Sequence, residues 1–88
     1  MRGVQVGDLP LPEVGDARQG LRVTLAGETA DGEESVLTVE LAAVRVGADA
    51  IGVTHGGLGD VSTEVTQAAV DLGARRLTEI RRQARAAV

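Results

Sequence analysis

Apolar and polar positions alternate along most of the first sixty residues, and then the period changes to that of a helix. Val4 and Val6 alternate with polar neighbours and predict a short strand. Leu9-Pro10-Leu11-Pro12 cannot be helical, because each proline lacks an N–H and biases its predecessor toward extended geometry. A sheet-edge position or a surface crossing fits that segment. Gly15-Asp16 predicts a turn, so residues 1–20 read as an extended lead-in. Leu21-Arg22-Val23-Thr24-Leu25 alternates as a half-buried strand does. Gly27 to Glu34 is polar and acidic and predicts a hairpin loop, with Asp31-Gly32 as a type I′ pair.

Ser35 to Val46 predicts a long strand with Leu37, Val39 and Leu41 on one face. Val44 and Val46 fall on the opposite phase. A period of two that shifts phase calls for a bulge, placed at Ala42-Ala43, or for a strand end buried on both faces. Gly47-Ala48 fits a two-residue II′ turn. The return strand runs from Asp49 to His55, with Ile51, Val53 and His55 on one face. The turn sets Val46 opposite Asp49 and Val44 opposite Ile51. Three glycines within Gly56-Gly57-Leu58-Gly59 end the strand.

A helix follows from about Thr63 to Ala86, capped by Asp60 or Ser62, with Glu64 in its first turn. Its apolar stripe is Val70, Leu77, Ile80 and Ala84, broadened by Val65, Ala69 and Leu72. Asp71 and Arg75 stand four apart with the acid first, the favourable order. Gly73 inside the helix costs up to about 1 kcal/mol against Ala, which a close approach to the sheet would explain. Residues 21–88 thus form one domain of α+β class: a small antiparallel sheet of three to four strands with one long C-terminal helix on one face.

Composition narrows the chemistry. The 88 residues contain no aromatic residue, no Cys and no Lys. Base stacking, thiol chemistry and a thiolate zinc site are excluded together. The core must be built from Val, Leu, Ile and Ala, so an isolated monomer is expected at the low end of about 5–15 kcal/mol stability. No secretory signal is visible, and no run nears the roughly 20 apolar residues of a membrane span. The compartment is therefore open.

Charge is polarised. Residues 1–74 hold four Arg against twelve acids, whereas residues 75–88 hold five Arg against Glu79. Cations near a helix C-terminus complement its dipole, which is the plain explanation. The five Arg spread over more than one helix face, without aromatics, so nucleic acid is an unlikely partner.

No catalytic constellation emerges. The one His, His55, precedes Gly56-Gly57, but the Gly-x-Ser-x-Gly elbow that a His-Gly-Gly oxyanion loop would serve is missing. Gly56 to Gly59 opens a helix without the pattern of a phosphate loop. Asp31, Glu33 and Glu34 lack calcium-loop spacing. Glu28 and Glu40 form no evident acid–base pair. The expectation is a non-enzymatic module with no cofactor and no metal. His55, Arg45 and Thr54 are its candidate binding residues.

From Leu9 onward the chain resembles the C-terminal half of PknH-like sensor domains, which are extracytoplasmic modules of actinobacterial Ser/Thr kinases and of related lipoproteins. The carrying stretches are Leu9-Pro10 to Gly15-Asp16, Val44-Arg45-Val46-Gly47, Ile51-Gly52-Val53-Thr54 and Gly57-Leu58-Gly59-Asp60. The resemblance implies an antiparallel sheet backed by helices, a cleft for a small extracellular ligand, an extracytoplasmic location and no catalysis. Members run to roughly twice this length, and kinase-linked members carry disulfides. The chain then reads as a fragment, a short relative, or a half-domain completing its sheet by dimerising. The alternative function is a small interaction protein acting as a homodimer through its sheet edge or C-terminal helix.

Overall fold

The computed structural model describes residues 3–86. Four strands form one antiparallel meander in the order β1 (Gly3–Asp8), β2 (Ala17–Glu28), β3 (Glu34–Val46), β4 (Asp49–Leu58), followed by α1 (Thr63–Ala86). The class is α+β, as the patterning predicts. The expected boundary at residue 21 falls inside β2, and β1 pairs with β2 in the same sheet.

The backbone of α1 lies over β3 and β4. It buries Val70 and Ala74 against Ala42 and Val44, with Ile51, Val53 and Val46 packed around them. The proline segment covers the neighbouring flank. Leu9 is buried, its N–H donates to the Gly20 carbonyl at 3.1 Å, and Leu11 joins the core cluster. A side chain at Gly20 would bring a Cβ to 2.6 Å from the Leu9 carbonyl oxygen, so only glycine admits this crossing. Gln67 Nε2 donates to the Pro10 carbonyl at 2.8 Å and ties the crossing to the helix.

Register follows the predicted β3–β4 turn. Val46 pairs with Asp49 and Val44 with Ile51, and Gly47 has φ +62°. Three details differ from expectation. The pairing of β3 runs unbroken past Ala42-Ala43 on both sides, so there is no bulge. Instead, one phase of β3 (Thr38, Glu40, Ala42, Val44, Val46) faces the helix throughout, and the other (Leu37, Val39, Leu41, Ala43, Arg45) faces away. The β2–β3 loop is not type I′, which needs positive φ at both central residues. Gly32 has φ +81° but Asp31 does not, and the Gly32 N–H donates to the Thr29 carbonyl. A turn centred on Ala30-Asp31 followed by a left-handed Gly32 results. Finally, Gly56 and Gly57 continue β4, because they pair with Val39 and Thr38; the chain leaves the sheet only after Leu58.

The helix begins where the residues predict. The Ser62 carbonyl accepts from Val65 N–H, and Arg75 Nε donates to Asp71 at 3.2 Å. A Cβ on Gly73 would lie 2.6 Å from Ile51 Cδ1, a close helix–sheet approach that accounts for the glycine. The stripe is narrower than expected. Thr66, Val70 and Ala74 are its buried positions, whereas Val65, Leu72 and Ile80 are exposed, because the sheet meets only one side of the helix.

Candidate functional site

Two regions stand out: a buried polar cluster between helix and sheet, and the uncovered face of the sheet. The cluster is built on one cross-strand row, Arg22 on β2, Glu40 on β3 and His55 on β4. Glu40 has no exposed surface. Thr63 and Thr66, from the first turn of α1, come down onto it. Thr66 Oγ1 donates to Glu40 Oε1 at 2.5 Å, Thr63 Oγ1 donates to Oε2 at 2.7 Å, and Arg22 donates to Oε2 at 3.1 Å. Arg22 also reaches Thr63 Oγ1 at 3.1 Å and the exposed Asp60 at 3.3 Å.

Burial acts most strongly on Glu40, raising its pKa. The Thr66 and Thr63 hydroxyls, then the charges of Arg22 and His55, more than offset it and hold the carboxyl below its ordinary value of 4.5. The carboxylate also sits at the positive end of the helix dipole.

His55 Nδ1 lies 3.0 Å from Thr66 Oγ1. That hydroxyl spends its proton on Glu40, so Nδ1 carries a proton and donates. Imidazole, hydroxyl and carboxylate thus stand in line, but the hydroxyl occupies the middle. In a nucleophilic triad the hydroxyl stands at the end, beside the imidazole and open to substrate. Here Thr66 is fully buried and both Glu40 oxygens are taken. The arrangement cross-ties the helix start to the sheet. Thr38 extends it, donating to the Gly59 carbonyl at 2.5 Å and pinning the connection into α1.

The three binding residues expected from sequence do not converge. His55 points under the helix. Thr54 and Arg45 project from the opposite face, four positions apart in register, and Arg45 donates to the Gly47 carbonyl at 2.9 Å. Sequence reasoning missed Glu40 and Arg22. The available signal was a charge pair at facing positions of adjacent strands, visible only once register is known.

The uncovered face is the second region. Its rows read Val4–Leu25–Leu37–Leu58, then Val6–Val23–Val39–Gly56, then Asp8–Leu21–Leu41–Thr54. Leu41 is 39 % exposed and Leu58 is 78 % exposed. Soluble monomers rarely display so continuous an aliphatic surface, and such patches mark contact sites. Among the described residues no helix is long and apolar enough to cross a membrane, and no cluster of His, Cys, Asp and Glu could hold a metal ion. A separate groove of about 350 Å³ lies between the lead-in and the helix, lined by Val14, Gly15, Ala74, Thr78, Arg75 and Arg82 with Glu79.

No protein-family model matches the chain, and neither a curated protein nor a solved structure matches it. The likeness to PknH-like sensor domains therefore rests on the residues that carry it.

Proposed function

We propose that this chain is a non-enzymatic association module that presents the open face of its sheet to a protein partner. The observation that carries this reading is the aliphatic surface formed by the rows of β1, β2 and β3, in which Asp8 on the edge strand is the one charge. In the polar cluster under the helix, Glu40 and Thr66 are buried and both carboxylate oxygens are hydrogen-bonded, so it serves the fold rather than a substrate. The test uses 1-anilinonaphthalene-8-sulfonate with dilute, folded protein. The dye binds the wild type, and Leu41→Asp weakens that binding about tenfold or more while the circular dichroism spectrum is unchanged. A monomeric wild type that binds no dye contradicts the reading.

The groove beside Arg75 and Arg82 supports a second reading, the sensor-type module implied by the family resemblance. Its volume lies within the roughly 300–1,000 Å³ of small-ligand sites. A small anionic ligand there would raise Tm in the wild type and not in Arg82→Ala.

A further inference from the structure

We infer that the partner of the open sheet face is a second copy of this chain, packed sheet against sheet; this rests on the association reading above.

Width is the first argument. A helix is about 10–12 Å across, whereas four strands spaced about 4.8 Å apart span nearly twice that. The covered side of this same sheet shows the consequence: α1 lies over β3 and β4, and the proline segment must cover the flank at Gly20. A single helix from another protein would leave half of the open face wet. Another four-stranded sheet matches it across its whole width, at the roughly 10 Å separation of packed sheets.

Charge is the second argument. The chain carries a net charge of −4, so copies repel over most of their surface. The described strand positions on the open face hold only Asp8 and Arg45, of opposite sign and at its margin. Two copies meeting there bury no net charge. A two-fold interface must also be self-complementary. Val and Leu of similar height, with no aromatic anchor needing a matching pocket, meet that condition.

Area is the third. The accessible surface is 6018 Å². A compact monomer of 9.0 kDa exposes about 4,850 Å². The excess of about 1,200 Å² is larger than the roughly 800 Å² each partner buries in a standard stable interface. In the resulting assembly the helices lie outside and the two sheets form the centre.

The experiment is light scattering with refractive-index detection across a wide concentration range, on wild type, Leu41→Asp and the more peripheral Leu58→Asp. The wild type is expected at about twice the 9.0 kDa chain mass. Leu41→Asp places two carboxylates in one symmetric interface and weakens association about 100-fold or more. Leu58→Asp weakens it less, and both variants keep the wild-type circular dichroism spectrum. A dimer that survives both substitutions overturns the inference, because another surface then holds it. A wild type that stays monomeric throughout also overturns it. In that case the dye decides separately: binding keeps the open face as a contact site for a different protein, and no binding removes the association reading as well.

Discussion

At the scale of single residues, Glu40 controls how the helix sits on the sheet. Its carboxylate is buried and held ionised by two hydroxyls and a guanidinium. Its folded pKa lies below the ordinary 4.5, so as acid is added the unfolded chain takes up this proton first. Glu40 therefore contributes stability above about pH 4.5, and the contribution fades as pH falls through the lowered folded pKa. Urea unfolding midpoints at pH 6 and pH 3 should differ less in Glu40→Gln than in the wild type. Equal pH dependence would refute this role. Arg22→Met leaves the buried carboxylate short of one partner and should cost about 2 kcal/mol at neutral pH, reduced from the usual penalty because Arg22 itself is partly solvated. Neither residue was legible in the sequence as a pair. Eighteen positions separate them, and a Glu in alternation with aliphatics reads as solvent-facing until the register places it under a helix.

At the scale of elements, most of the secondary structure was legible, because period two, a glycine turn and period 3.6 are local signals. The phase of β3 was not. Its bulky residues Leu37, Val39 and Leu41 suggest a core face, and the later Val44 and Val46 then seem to need a bulge. The resolution is physical: the helix packs on the smaller phase, where Thr38, Ala42 and Val44 let it approach closely, and the larger side chains are left for the other side. Glycines record the same closeness. Gly20→Ala sets a Cβ against the Leu9 backbone and should destabilise by about 1–3 kcal/mol, measured by thermal melting. Gly73→Ala gains about 1 kcal/mol of helix propensity, which contact with the terminal methyl of Ile51 offsets. In an Ile51→Val background that methyl is gone, so Gly73→Ala should become stabilising. A double-mutant cycle with no coupling would contradict the contact.

At the scale of the molecule, the helix covers β3 and β4 on one side of the sheet, the proline segment covers the flank beside them, and nothing among the described residues covers the other side. The covered side carries the polar cross-tie and a small core; the open side carries the larger aliphatics. An aromatic-free composition predicts a thin core, and the structure shows the same scarcity as a sheet with one face unfilled. The sequence could not reveal which surface remains open, since that depends on the side the helix takes. Association through this face also makes apparent stability depend on concentration, so Tm should rise as the protein is concentrated and should cease to do so in Leu41→Asp.

The most direct test follows the Val, Leu and Ile methyl groups by NMR across a concentration series. Sheet-to-sheet pairing predicts that the methyls of Val23, Leu25, Leu37, Val39 and Leu41 shift and lose solvent contact as concentration rises, while those of Val65, Leu72 and Ile80 on the outer helix stay constant. Changes confined to the helix methyls, or no change at any concentration, would contradict it.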